Sequence, residues 1–158
     1  MITLQFVAAK DFGSRVIQIY ERGWPSHVDA VAPDGSLYGA RNDKLMGAPA
    51  GVQMRPSGYY PFYRLERYYL PADAETTAKF WEFLRLQEGK PYDQTAILAF
   101  AFQRDWREPD SWFCSELIAA GLLSCGWFWH NLSNVVSTIT PRDLLLLVSP
   151  WSHKEANT

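Results

Sequence analysis

The pattern of apolar and polar positions changes character near residue 71. Upstream of it, residues 2–7 alternate and read as a short strand. Val16, Ile17 and Tyr20, at i, i+1 and i+4, tilt Gly13–Glu21 towards a helix rather than a strand. Trp24-Pro25 then breaks the chain. Ser26–Ala32 and Ser36–Arg41 are extended runs on either side of Pro33-Asp34-Gly35, the pattern of a β-hairpin closed by an Asp-Gly turn. Gly51–Arg55 and Phe62–Tyr69 are two more strand candidates, with Pro56-Ser57-Gly58 as the loop between them.

Downstream the period becomes helical. Asp73 is placed to cap a helix running through Phe80, Trp81, Phe83 and Leu84, and Gly89 stands where a C-terminal stop belongs. Gly89–Asp93 reads as a turn, with Asp93 able to cap the apolar stretch Thr95–Phe102, and Arg104–Asp110 is a charged loop. Asp110 or Ser111 opens a second helix that ends near Gly126. Its apolar stripe is Cys114, Leu117, Ile118, Gly121, Leu122 and Cys125. Leu144–Val148 reads as a final strand. The simplest architecture is α+β: an antiparallel sheet with helices packed on one side, in one domain over residues 1–151, followed by a loose tail at 152–158.

Composition narrows the range of functions. A chain of 158 residues suits one domain. With 47% hydrophobic and 20% charged residues, disorder is excluded as the main state. Fifteen basic against 17 acidic side chains argue against a nucleic-acid partner bound through a broad basic field. Met1–Val7 lacks the basic and long apolar regions of a signal peptide, and no apolar run approaches the ~20 residues that span a bilayer. The expectation is a cytoplasmic protein without stable membrane insertion, or a phage-encoded one delivered by other means. Nine Phe, eight Tyr and seven Trp serve mainly to build the core. Two cysteines and three histidines make neither a structural zinc site nor a disulfide scaffold, so no metal and no cofactor is expected.

The two cysteines share a helix face but stand eleven residues apart, about 16 Å along the axis. A disulfide needs Cα atoms within about 7 Å, so both are expected as free thiols. Cys125, in the last turn, is a small core residue. Cys114, in the first turn, faces unpaired N–H groups and the positive end of the helix dipole, a setting that favours a thiolate. His27, on the first hairpin strand, is the best-placed base; His130 follows the Trp127–Trp129 cluster and His153 is in the tail.

Trp112-Phe113-Cys114-Ser115-Glu116-Leu117-Ile118 resembles the nucleophile helix of NlpC-type cell-wall peptidases, a papain-like superfamily. Gly89-Lys90-Pro91-Tyr92 resembles the turn that precedes the nucleophile there. Ser26-His27-Val28, with the Asp-Gly turn and Leu37-Tyr38-Gly39-Ala40, resembles the histidine hairpin. The order is reversed, as in the circularly permuted branch that includes YiiX/YebB-like proteins and the lecithin-retinol acyltransferase group. The resemblance covers roughly residues 14–148.

It implies a bacterial or phage thiol hydrolase, a peptidase or amidase, or an acyltransferase. Its substrate would be a peptide or an acyl-lipid, with Cys114 as nucleophile and His27 as general base. Tyr92 would help bind the developing oxyanion, or would serve as a packing ring in the turn. The family's third, orienting position falls on Gly39, which has no side chain. Asp29, two residues from His27 and on the same face of the strand, is the obvious substitute, its alternative being an ion pair with a nearby Arg or Lys. Glu116, about 200° round the helix from Cys114, is expected to face away from it. The competing reading is an inactive papain-like domain that binds a peptide, lipid or protein partner, favoured by Gly39.

Overall fold

The computed structural model describes residues 1–42, 44, 49–93, 111–128 and 136–154. Six antiparallel strands form one sheet in the order β4-β3-β2-β1-β5-β6. They are β1 (Ile2–Ala8), β2 (His27–Val31), β3 (Leu37–Arg41), β4 (Gly51–Arg55), β5 (Arg64–Leu70) and β6 (His153–Lys154). Strand alternation sorts the residues by face. In β1, Leu4 stands opposite Ala30 of β2 and Phe6 opposite Val28; these four, with Tyr38, Ala40, Val52 and Leu70, belong to the apolar core. Of the intervening positions of β1 and β2, Gln5, His27 and Asp29 are polar and buried all the same. The loop before β5 accounts for that: Tyr59, Tyr60 and Phe62 close a small cavity over Gln5, Val7 and Asp29.

The β2–β3 turn is built as the Pro33-Asp34-Gly35 pattern requires. Ser36 N–H donates to the Asp34 side chain at 2.9 Å, Ala32 N–H donates to the Ser36 carbonyl at 2.8 Å, and Gly35 has φ +86°, a value an L side chain resists.

Helix α1 (Phe12–Glu21) follows β1, capped by Asp11. α2 (Ala74–Leu86) is capped by Asp73, which accepts from Thr76 N–H at 2.7 Å. α3 spans Cys114–Ser124 and crosses α2 closely. A Cβ at Gly121 would come within 2.9 Å of the fully buried Phe80 ring, so the glycine sets the approach of the two helices. Cys114 and Cys125 are both free and buried.

Two expectations are corrected at the C-terminal end. Leu144–Val148 is not a strand but the body of helix α4 (Pro141–Val148). Thr140 caps it by accepting from Asp143 N–H, the Asp143 carboxylate returns to Thr140, and Pro141 stands in the first turn. The run of four leucines and a valine hid a helical pattern, with Leu144, Leu145 and Val148 buried and Leu146 and Leu147 partly or well exposed. In the segment expected to be a loose tail, His153–Lys154 pairs with Tyr68 and Tyr69 as β6; residues 155–158 lie outside the described residues, as do Thr95–Phe102, Arg104–Asp110 and His130.

The end of α1 is clasped to the start of α4. Arg142 N–H donates to Glu21 Oε2 at 3.0 Å, and Arg142 Nη1 donates to the Glu21 carbonyl at 2.7 Å. Glu21 Oε1 is buried with no hydrogen-bond partner assigned among the described residues. Burial, assisted by the Asp143 charge and opposed by Arg142 and Thr140, pushes the Glu21 carboxyl from 4.5 up to about 8. Between those two values the folded chain holds a proton that the unfolded chain has lost, so this group lowers stability as pH rises through the interval. Glu21→Gln should therefore flatten the decline in melting temperature over that range, measured by calorimetry at fixed ionic strength; parallel wild-type and variant curves would refute it.

Candidate active site

Cys114 is the first residue of α3, three or four positions later than a start at Asp110 or Ser111. The physical reason is backbone pairing upstream. Trp112 N–H donates to the Pro91 carbonyl at 3.0 Å and Asp93 N–H to the Trp112 carbonyl at 3.1 Å, which holds residues 112–113 extended; Phe113, at φ −84° and ψ 155°, is the cap residue. The same pairing sets Tyr92 beside the helix start, its ring 5.7 Å from that of Phe113. Tyr92 thus packs as a turn residue and also lines a small cleft with His27, Ser26, Arg41 and Asp11. Glu116 does not face solvent: it is 1% exposed, and its carboxylate accepts from Phe113 N–H at 3.1 Å, capping the helix that carries Cys114.

The Cys114 side chain is 1% exposed and packs in the core with Val28. Burial raises its pKa to about 12, with the Asp29 and Glu21 charges adding to the rise, while the backbone N–H groups of Val28 and Ser115 oppose it. Its thiol is therefore neutral in the free protein, against the expectation of a thiolate drawn from the helix dipole alone. No hydrogen bond joins Cys114 to His27 among the described residues, although Val28, whose backbone acts on the sulfur, is the next residue along β2.

His27 and Asp29 leave β2 on its second face and meet there. His27 Nε2 lies 2.9 Å from Asp29 Oδ1. Tyr59 O–H donates to Asp29 Oδ2 at 2.9 Å and lies 3.3 Å from His27 Nε2. All three residues are buried. Desolvation would raise the Asp29 pKa, but the His27 charge and hydrogen bond, then Arg41 and Tyr59, outweigh it and hold the carboxyl below its ordinary range. Of the two readings of Asp29, the partner the structure provides is His27; Arg41 acts on it at longer range and stacks on the Tyr60 ring, 3.9 Å from its centroid.

Gly39 has a spatial reason. Continuing the β2–β3 register of Ala30 with Tyr38 and Val31 with Leu37 puts Gly39 opposite Asp29. A Cβ on Gly39 would lie 2.0 Å from Asp29 Oδ1. The carboxylate occupies the place where a side chain from position 39 would lie, so the two positions exclude one another's side chains. Tyr59 was not a sequence candidate. Nothing local marks it, since Tyr59 and Tyr60 sit in a Pro- and Gly-flanked loop thirty residues from Asp29, and only the sheet brings them together.

Among solved structures, the chain is similar to the metalloprotein YiiX from Escherichia coli O157:H7, with a TM-score of 0.67 and 16% identity over 99% of this chain and 96% of that one. No family model matches the sequence, and no curated protein does. The likeness establishes the class: an α+β, YiiX-like fold, consistent with a papain-like architecture. It extends to the fold and not to chemistry. Among the described residues no group of three or more His, Cys, Asp or Glu is placed to hold a metal ion, and His27 and Asp29 are hydrogen-bonded to each other. No helix among the described residues is long and apolar enough to cross a membrane.

The exclusion between positions 29 and 39 can be measured as coupling. Gly39→Ala should cost about 1–3 kcal/mol through overpacking, and much less in an Asp29→Ala background, where the methyl has room. A double-mutant cycle by urea denaturation reads this directly; additive effects would show that the two positions do not share space.

Proposed function

We propose that the chain is a thiol hydrolase or acyltransferase that opens an amide or ester bond with Cys114 as nucleophile, His27 as base and Asp29 as the residue orienting it. The observation that carries the reading is the His27–Asp29 hydrogen bond of 2.9 Å, made in the space that Gly39 leaves empty. A buried carboxylate only accepts, so His27 Nε2 carries the proton between them and Nδ1 is left as the basic nitrogen. Nδ1 takes the proton of the Cys114 thiol as the sulfur attacks the carbonyl carbon; with the thiol neutral at rest, transfer accompanies attack rather than preceding it. The tetrahedral oxyanion is met by N–H groups at the start of α3, with the Tyr92 hydroxyl as a further donor. The imidazolium returns its proton to the departing amine or alcohol, leaving a thioester on Cys114. Water, or another acceptor in a transferase, then attacks the thioester, giving up a proton to His27, and the thiol is restored.

Peptides, including cell-wall peptides, and lipid-type acyl groups are the substrate classes this chemistry serves. The permuted NlpC-type relationship, including its lecithin-retinol acyltransferase side, rests on the order of the three motifs. A second reading has its own support: the 1% exposure of Cys114 and the missing Cys114–His27 hydrogen bond fit a non-catalytic domain that binds a peptide, lipid or protein.

The two readings separate on the reactivity of one thiol. In a Cys125→Ser background, iodoacetamide modification of Cys114 should be measurable near neutral pH. It should fall at least about tenfold in His27→Ala, on the scale of general-base assistance. Activated acyl esters and peptide thioester traps should add an acyl mass to Cys114 and none in Cys114→Ser. A rate that climbs only towards pH 12, indifferent to His27, would leave the binding-domain reading standing.

A further inference from the structure

We propose that Tyr59 is a positioning residue for the reaction: its hydroxyl pins the Asp29 carboxylate so that His27 keeps its proton on Nε2 and presents Nδ1 to Cys114. The proposal rests on the Cys114–His27 reading above and assigns a role to a residue outside the three motifs.

Donor and acceptor accounting supports it. Three polar groups meet in a buried space: a carboxylate that only accepts, a phenol with one proton, and an imidazole nitrogen that either donates or accepts. Tyr59 O–H lies 2.9 Å from Asp29 Oδ2 and 3.3 Å from His27 Nε2, so its single proton goes to the carboxylate. Oδ2 is then engaged, and Oδ1, 2.9 Å from Nε2, is the oxygen left to accept from the ring. The Tyr59 oxygen faces the same Nε2–H as a second, longer acceptor. In the opposite tautomer, with the proton on Nδ1, Nε2 and Oδ1 would be two acceptors in contact, a buried mismatch costly in free energy. Tyr59 sharpens that penalty because it prevents the carboxylate from turning away.

The ring itself is held. The Arg41 and Arg55 guanidinium groups lie over it at 5.5 and 5.7 Å from its centroid. Its neighbour Tyr60 donates to Asp11, the cap of α1. Burial and the Asp29 charge raise the Tyr59 pKa above its ordinary value, so the hydroxyl keeps its proton throughout the working pH range. The loop from Pro56 to Tyr63 therefore joins the cap of α1 to the His27–Asp29 pair.

Tyr59→Phe removes one oxygen and keeps the ring, its packing and its cations. Nitrogen-15 NMR of the His27 ring gives the tautomer without any substrate. The wild-type neutral ring should be almost wholly the Nε2–H form, with a slowly exchanging Tyr59 hydroxyl proton close to it. In Tyr59→Phe the Nδ1–H form should become readily detectable. Iodoacetamide modification of Cys114 in the Cys125→Ser background should fall about tenfold, the scale of one hydrogen bond to a charged group, with the fold intact by circular dichroism. An unchanged tautomer with a rate within twofold of wild type would overturn the assignment, as would a fast-exchanging hydroxyl proton in the wild type. If instead His27→Ala leaves Cys114 modification unchanged, the base reading fails by itself, while the tautomer measurement still decides whether Tyr59 positions the ring.

Discussion

Asp29 is a carboxylate buried in an inner strand of the six-stranded sheet, and the arrangement around it follows from the need to compensate that charge. An isolated ion in such surroundings would protonate or unfold the region. Here each carboxylate oxygen has a donor, His27 on one side and Tyr59 on the other, and the Arg41 charge acts from further away. Space for the group comes from Gly39, and cover comes from the loop that carries Tyr59 and Tyr60. Strand, glycine, loop and histidine are thus parts of one solution to one electrostatic problem.

β2 joins this polar cluster to the apolar core. Its even-numbered residues, Val28 and Ala30, pack in the core with Leu117 and Ile118 of α3, while His27 and Asp29 face the loop. The strand is therefore the wall between a buried thiol and a buried His–Asp pair. His27 is the first residue of β2, at the end of that wall. The other half of the arrangement is the pairing of Trp112 with Pro91 and Asp93, which delays the start of α3 until Cys114 and so brings the thiol to the helix terminus.

Much of this was legible locally. Asp73 as a cap, the Asp-Gly hairpin, the Gly51–Arg55 strand and the spacing that keeps Cys114 from Cys125 are decided by residues within a few positions of one another. The shared face of Asp29 and His27 was legible too, because a two-residue step along a strand fixes it. Which partner Asp29 takes stays open in the sequence, between His27 and a nearby Arg or Lys, and the hydrogen bond to His27 is a tertiary finding. The misreadings had the opposite character. Leu144–Val148 is apolar along its whole length, so its period was hidden and its helical state rests on the Thr140–Asp143 cap. Spacing places Glu116 away from Cys114, which no contact contradicts; its burial, reached by turning back to Phe113 N–H, had no signal in the sequence.

The sequence by itself determined the elements with a clear period or a specific turn residue, the α+β class they imply, and the candidates Cys114, His27, Asp29 and Tyr92, since each rests on contacts between near neighbours or on short motifs. Tertiary structure alone decided that Asp29 fills the place vacated by Gly39, that Tyr59 completes the pair from thirty residues away, and that Cys114 is a neutral, core-packed thiol at rest. Those properties depend on sheet register and on burial. Both are set by residues distant in the chain, and neither has a local signature.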